Sequence, residues 1–120
     1  MRFKNLKLFS YSLCSTCRRA IKWLKSNEIV FELIEILDTP PSKEMLILAS
    51  KQYGDRKYLL NTSGTIYRSI GSDVIKLMSD NELFDQLFIE PRLIKRPFLF
   101  KPNKCFLVGF KEEKWAEKLL

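Results

Sequence analysis

The sequence contains no histidine. That absence removes Ser-His-Asp and Cys-His catalytic centres and histidine metal sites, and with them the side chain that ordinarily shuttles protons near neutral pH. Chemistry here has to run on cysteine, carboxylate or fixed positive charge. Cysteine is itself scarce, at three. An odd count cannot pair off internally, and without a signal peptide the thiols are expected to stay reduced. Three cysteines and no histidine also fall short of the four ligands of a structural zinc site, so no metal is expected. The four glycines (Gly54, Gly64, Gly71 and Gly109) stand apart from one another and form no phosphate-cradling loop. No run approaches the ~18 apolar residues of a membrane span, and the basic N-terminus is not followed by the apolar segment of a secretory signal. The expectation is a cytoplasmic protein with no membrane partner.

Acidic residues are missing from one stretch. Residues 1–25 carry seven bases (Arg2, Lys4, Lys7, Arg18, Arg19, Lys22 and Lys25) and no acid, whereas residues 26–120 balance 14 bases with 14 acids. The net charge of +7 is therefore local to the N-terminal end. The 15 aromatic residues are scattered through apolar positions and form no stripe interleaved with bases, so direct nucleic-acid binding is not expected.

What remains is 120 residues with 46% apolar content, enough for one compact domain over residues 1–120. Lys7-Leu-Phe-Ser-Tyr11 reads as a strand leading into a Ser/Cys/Thr-rich turn. A helix follows over about Ser15–Ser26, with Cys17, Ala20, Ile21 and Leu24 on one stripe and Arg18, Lys22 and Lys25 on another. Ile29–Leu37, rich in branched residues, reads as a second strand parallel to the first. Ser42 is a good N-cap for a helix reaching Gly54, Asn61-Thr-Ser-Gly64 is a turn, and Ser79-x-x-Glu82 is a capping box for a helix ending at Pro91. Residues 42–91 thus form a helical insertion with no strand signal. Phe98–Phe100, the turn Lys101-Pro-Asn-Lys104 and Cys105–Val108 read as an antiparallel hairpin, and a last helix follows Gly109. The predicted fold is α/β: a thioredoxin-like βαβ, helical insertion, ββα order with a four-stranded mixed sheet.

Cys14-Ser-Thr-Cys17 falls where the first predicted strand meets the first helix. A thiol at a helix N-terminus faces unpaired N–H groups and the positive end of the helix dipole, which favour its thiolate. A free thiol of pKa ~8.5 is about 3% ionised at pH 7, and one lowered by about two units is about 75% ionised. Arg18 and Arg19 add charge of the right sign. Cys17, one turn on, can reach back to close a disulfide, although its place on the apolar stripe also suits a buried structural residue.

The chain resembles a known family through motifs that occur in family order: Cys14-Ser-Thr-Cys-Arg-Arg-Ala20 with Trp23-Leu24, Pro40-Pro41-Ser42, Asn61-Thr-Ser-Gly64 followed by Tyr67-Arg68, Leu93-Ile-Lys-Arg-Pro97, and Val108-Gly-Phe110. These are the motifs of the arsenate-reductase-like and Spx-like proteins. The resemblance implies a thioredoxin-like core, a nucleophilic or redox-active cysteine at Cys14, and a cis-proline at Pro97. Arg96 matches one of three arginines with which arsenate reductases of this type hold their oxyanion, using glutathione and glutaredoxin as reductants. Asn61 and Cys105 stand at the other two places, and Ser10 stands where those enzymes usually carry histidine. Arg68 is a candidate substitute charge, and Cys105 a candidate second resolving thiol.

Two functions follow from the resemblance. One is a thiol oxidoreductase in which Cys14 attacks, Cys17 resolves, and Arg96, with Arg68 and Asn61, holds a small anionic substrate or thiol. It would bind no resident cofactor, and glutathione or a glutaredoxin or thioredoxin partner would return the electrons. The other is a redox-sensing regulator that associates with RNA polymerase and uses the CxxC as its switch.

Overall fold

A computed structural model describes residues 5–103 and 105–120. Arg2 and Lys4 of the basic stretch, and Lys104 of the hairpin turn, lie outside them. The elements are β1 (Lys7–Ser10), α1 (Ser15–Ser26), β2 (Glu32–Glu35), α2 (Lys43–Tyr53), α3 (Thr65–Ile70), α4 (Ser72–Leu77), α5 (Asp80–Ile89), β3 (Phe98–Lys101), β4 (Cys105–Val108) and α6 (Glu112–Leu119). The sheet order is β2-β1-β3-β4, with β1 and β2 parallel and the other two pairs antiparallel. This is the mixed thioredoxin-like sheet expected from the sequence.

Strand alternation divides the core in two. Leu8, Leu99 and Leu107 face one side with Ala20 and Leu24 of α1 and with Trp115 and Leu119 of α6. Phe9, Phe98 and Phe106 face the other with Leu46 and Ala49 of α2 and with Leu83 and Leu87 of α5. The helices therefore sandwich the sheet, and α1 lies directly over the C-terminal end of β1.

The helix boundaries follow local chemistry. The Ser42 hydroxyl accepts the Met45 N–H at 3.1 Å, and α2 stops at Gly54 in the left-handed conformation, φ 83°. Ser79 and Glu82 cap α5 reciprocally, as the sequence pattern indicates. The outer edge of β4 is closed by side chains of α2. The Gln52 amide both donates to the Phe106 carbonyl and accepts its N–H, each at 2.7 Å, and the Tyr53 hydroxyl accepts the Val108 N–H at 2.9 Å.

Two expectations are corrected. The strand predicted over Ile29–Leu37 is confined to Glu32–Glu35. Residues before it still wrap the end of α1, with the N–H of Ile29 donating to the Leu24 carbonyl and Glu28 at φ 57°. Residues after it turn at once, as Asp38 and Thr39 donate back to the Glu35 carbonyl. Leu60 of the 42–91 segment also forms a β-bridge with Ile94 beyond it, in a stretch read as free of strand signal. Among the described residues no helix is long and apolar enough to cross a membrane.

Candidate active site at the Cys14 cleft

Cys14 is itself the N-cap of α1. Its backbone is extended and its Sγ accepts the N–H of Cys17 at 3.3 Å. The turn leading to it is fixed at both ends: Cys14 N–H donates to the Tyr11 carbonyl at 3.0 Å, and Arg18 donates to the Ser12 carbonyl at 2.8 Å. Partial burial works to raise the pKa of Cys14. The Cys17 S–H, the Cys17 N–H, and hydrogen bonding and charge from Arg96 work to lower it, and the balance lies below the ordinary thiol value. Cys17 is fully buried, and burial together with its bond to Cys14 pushes its thiol up to about 11. Two neighbouring thiols are thus driven in opposite directions, one toward the thiolate and one toward the protonated donor. Both are reduced.

Arg96 reaches this site from the segment before β3, and its peptide bond to Pro97 is cis. Its guanidinium lies 5.1 Å from the centre of the Tyr11 ring and donates to the Arg92 carbonyl at 3.3 Å. Its Nε is buried without a hydrogen-bond partner among the described residues. A fixed guanidinium charge beside the Cys14 thiol suits an anionic ligand.

A cleft of about 390 Å³ opens at Cys14 and Arg96. Its remaining charged lining comes from Arg19, Lys95 and Lys111, with no carboxylate, and Phe110 and Val108 supply an apolar wall. The N-terminal charge surplus therefore contributes less than its sequence position suggests. Of its described members only Arg19 lines the cleft, and the other cations come from the C-terminal third of the chain.

Asn61 also borders the cleft, with its polar groups engaged. Its Nδ2 donates to the Arg92 carbonyl at 3.3 Å, its Oδ1 accepts from the Ser63 hydroxyl at 3.2 Å, and its N–H donates to the Leu93 carbonyl at 2.8 Å. The Arg92 carbonyl thus receives both Asn61 and Arg96, so the Asn61-Thr-Ser-Gly64 turn braces the segment that presents Arg96. Arg68 braces the same turn by donating to the Ser63 carbonyl at 2.7 Å, and it does not line the cleft.

Cys105 lies elsewhere. It pairs with Lys101 at the end of the sheet away from Cys14, three residues along β4 from Val108, or roughly 10 Å at strand rise. A Cys14–Cys105 disulfide, which needs Cα atoms within about 7 Å, is out of reach in this fold. The expectation of a second resolving thiol there is corrected.

Sequence reasoning did not single out Tyr11, Lys95 or Lys111 as site residues. In the structure Gly109 packs against one of them, Lys95. It has φ 75°, and a Cβ on it would come within 2.9 Å of the Lys95 side chain. An isolated glycine between β4 and α6 marks the crossing point of these cleft-lining segments.

The ArsC family model matches residues 9–118. The uncharacterized protein YusI of Bacillus subtilis is 37% identical over 115 residues, covering 94% of this chain and 97% of YusI. The global transcriptional regulator Spx of Streptococcus mutans is 30% identical over 107 residues, covering 88% of this chain and 77% of Spx. Among solved structures, an ArsC-family-related protein from Bacteroides fragilis superposes with a TM-score of 0.85 at 32% identity, covering 97% of this chain and 98% of that one. An arsenate reductase from Vibrio cholerae, at 24% identity and a TM-score of 0.81 over 99% of this chain and all of that one, shares the fold. With the motif order, the sheet and the cysteine at the helix N-terminus all in agreement, the chain belongs to the ArsC family.

Proposed function

We propose that this chain is a thiol–disulfide oxidoreductase with Cys14 as nucleophile, Cys17 as resolving thiol and Arg96 as the anion-holding group. The observation that carries the reading is the Cys14 thiol capping α1 beside Arg96, with the protonated Cys17 beneath it. The Cys14 thiolate attacks the glutathione sulfur of a mixed disulfide. A Cys14–glutathione bond forms, and the substrate thiolate leaves and takes a proton from solvent. Cys17 then loses its proton and attacks the Cys14 Sγ, and glutathione departs as a thiolate. The Cys14–Cys17 disulfide regains two electrons, and Cys17 one proton, from glutathione or from a glutaredoxin or thioredoxin dithiol.

Thiol exchange fits the cleft better than arsenate chemistry. Of the three positions that match the oxyanion arginines, only Arg96 offers a guanidinium to Cys14, because Asn61 is spent on the Arg92 carbonyl and Cys105 is at the far end of the sheet. The test is steady-state reduction of a glutathione mixed disulfide. Turnover that disappears in Cys14→Ser supports the enzyme, and no turnover with any dithiol reductant refutes it.

A second reading has its own support in the similarity to Spx over 88% of the chain. In it the Cys14–Cys17 disulfide is a switch for association with RNA polymerase. Oxidation-dependent capture of the polymerase without turnover would favour this reading over the first.

A further inference from the structure

The dithiol reading leaves one step without a helper. Cys17 has to give up its proton to resolve the mixed disulfide, yet it is wholly buried in the first turn of α1. The titratable groups facing it are few. Cys14 is at the head of the same helix, and Arg96, from the segment before β3, acts on Cys14. From the end of β1 and the residue after it, the facing groups are Ser10 and the Tyr11 backbone. On this side of the sheet Leu99 and Leu107 from β3 and β4 and Trp115 and Leu119 from α6 form the apolar core under α1. Among the described residues, none of the groups that act on Cys17 is a carboxylate.

Ser10 is the one buried polar side chain among the described residues, 5% exposed. It ends β1 two residues after Leu8, so alternation turns it to the α1 side, beneath the turn that carries Cys17. A hydroxyl both donates and accepts, and its hydrogen rotates to suit. At rest the Cys17 S–H is given to Cys14, so the Ser10 hydroxyl can donate to the Cys17 sulfur, most strongly to the thiolate once the proton has left. Hydrogen bonding to the charged form favours that form, and the Ser10 hydroxyl works to lower the Cys17 pKa against its burial.

We infer that Ser10 is a positioning residue for the resolving half-reaction, holding and stabilising the Cys17 thiolate under the first turn of α1 while leaving the attack by Cys14 unaffected. This rests on the dithiol reading above and goes beyond it by assigning the second step its own group.

The test uses the full chain with Cys105→Ala, reacted with dithiobis(nitrobenzoate). The Cys14 thiolate takes one nitrothiobenzoate into a mixed disulfide and releases a second as thiolate. Cys17 then displaces the remaining one, forming the Cys14–Cys17 bond, so the two releases report the two half-reactions separately. Ser10→Ala is expected to leave the first release unchanged and to slow the second about tenfold at neutral pH, the loss that corresponds to one unit in thiol pKa. The deficit should close as pH rises, and Ser10→Thr, which keeps the hydroxyl, should restore the rate. A Ser10→Ala profile that overlies the wild type, or one that is slower by the same factor at every pH, would overturn the role of Ser10. If the wild type itself gives no second release, Cys17 does not resolve, and the dithiol reading fails along with it.

Discussion

The Sγ of Cys14 accepts the backbone N–H of Cys17 at 3.3 Å, so the nucleophile caps the helix that carries its own resolving partner. The backbone donor survives any change of the Cys17 side chain, whereas the S–H donor does not. Cys17→Ala should therefore raise the Cys14 pKa, Cys17→Ser should raise it less, and both should stall at the mixed disulfide. Intact-protein mass spectrometry after exposure to oxidised glutathione should find one glutathionyl group retained on each variant and lost from the wild type. Equal retention on all three would show that Cys17 does not resolve.

Arg96 acts on Cys14 by hydrogen bonding and charge, and only the guanidinium head does so. Arg96→Met keeps an apolar stem of similar length and removes both effects, along with the guanidinium over Tyr11. Cys14 should lose thiolate at neutral pH, by about tenfold per unit of pKa regained. Anionic disulfides should slow more than neutral alkylating agents, because the former lose their binding group as well. Competition between a charged and an uncharged reagent measures this, and an unchanged ratio would remove Arg96 from ligand binding.

The opposed shifts of the two thiols also set the pH dependence of stability in the reduced protein. The folded pKa of Cys14 is depressed, so its contribution is complete above the unfolded thiol pKa and fades as pH falls through the folded value. The folded pKa of Cys17 is raised to about 11, so its contribution holds below the unfolded thiol pKa and is lost as pH rises toward that value. Urea melts of Cys17→Ala against wild type should therefore converge as pH climbs past the unfolded thiol pKa. A constant gap would mean that the cost of the substitution is packing alone.

Gly109 supports the cleft through its backbone. It sits at φ 75°, and a Cβ there would meet the Lys95 side chain at 2.9 Å. Gly109→Ala should cost about 1–2 kcal/mol from the left-handed conformation alone, and should displace Lys95 from the cleft wall. Chemical denaturation reads the first effect, and weaker binding of an anionic thiol at equal Cys14 pKa reads the second. A variant as stable as wild type would show that the turn relaxes at no cost.

Local signals carried the element order well. The caps Ser42 and Ser79 and the stripe of Cys17, Ala20 and Leu24 are written within a few residues of what they specify, and they reappear in the fold. Cys14 and Cys17 were legible for the same reason, since a CxxC at a strand-to-helix junction defines its own geometry. Long-range placement was not legible in this way. Cys105 matches a family site position in chain order, yet the hairpin register carries it to the wrong end of the sheet. Asn61 and Arg68 were candidates through the family resemblance, but Asn61 donates to the Arg92 carbonyl at the cleft border and Arg68 donates to the Ser63 carbonyl outside the cleft lining. The run of N-terminal bases suggested the source of the positive field, whereas most of the cleft's cations arrive from the segments around β3 and β4. Short strands were also overestimated, because branched residues at 29–31 serve the exit from α1 rather than the sheet.

The most direct measurement is the rate of Cys14 alkylation by a neutral reagent as a function of pH, in a Cys17→Ser, Cys105→Ala background and in the wild type with peptide-level mass readout. The expected result is a Cys14 titration midpoint below that of a free cysteine, lower in the wild type than in the variant. A midpoint at or above that of free cysteine in the wild type would contradict the activated thiolate on which the catalytic reading stands.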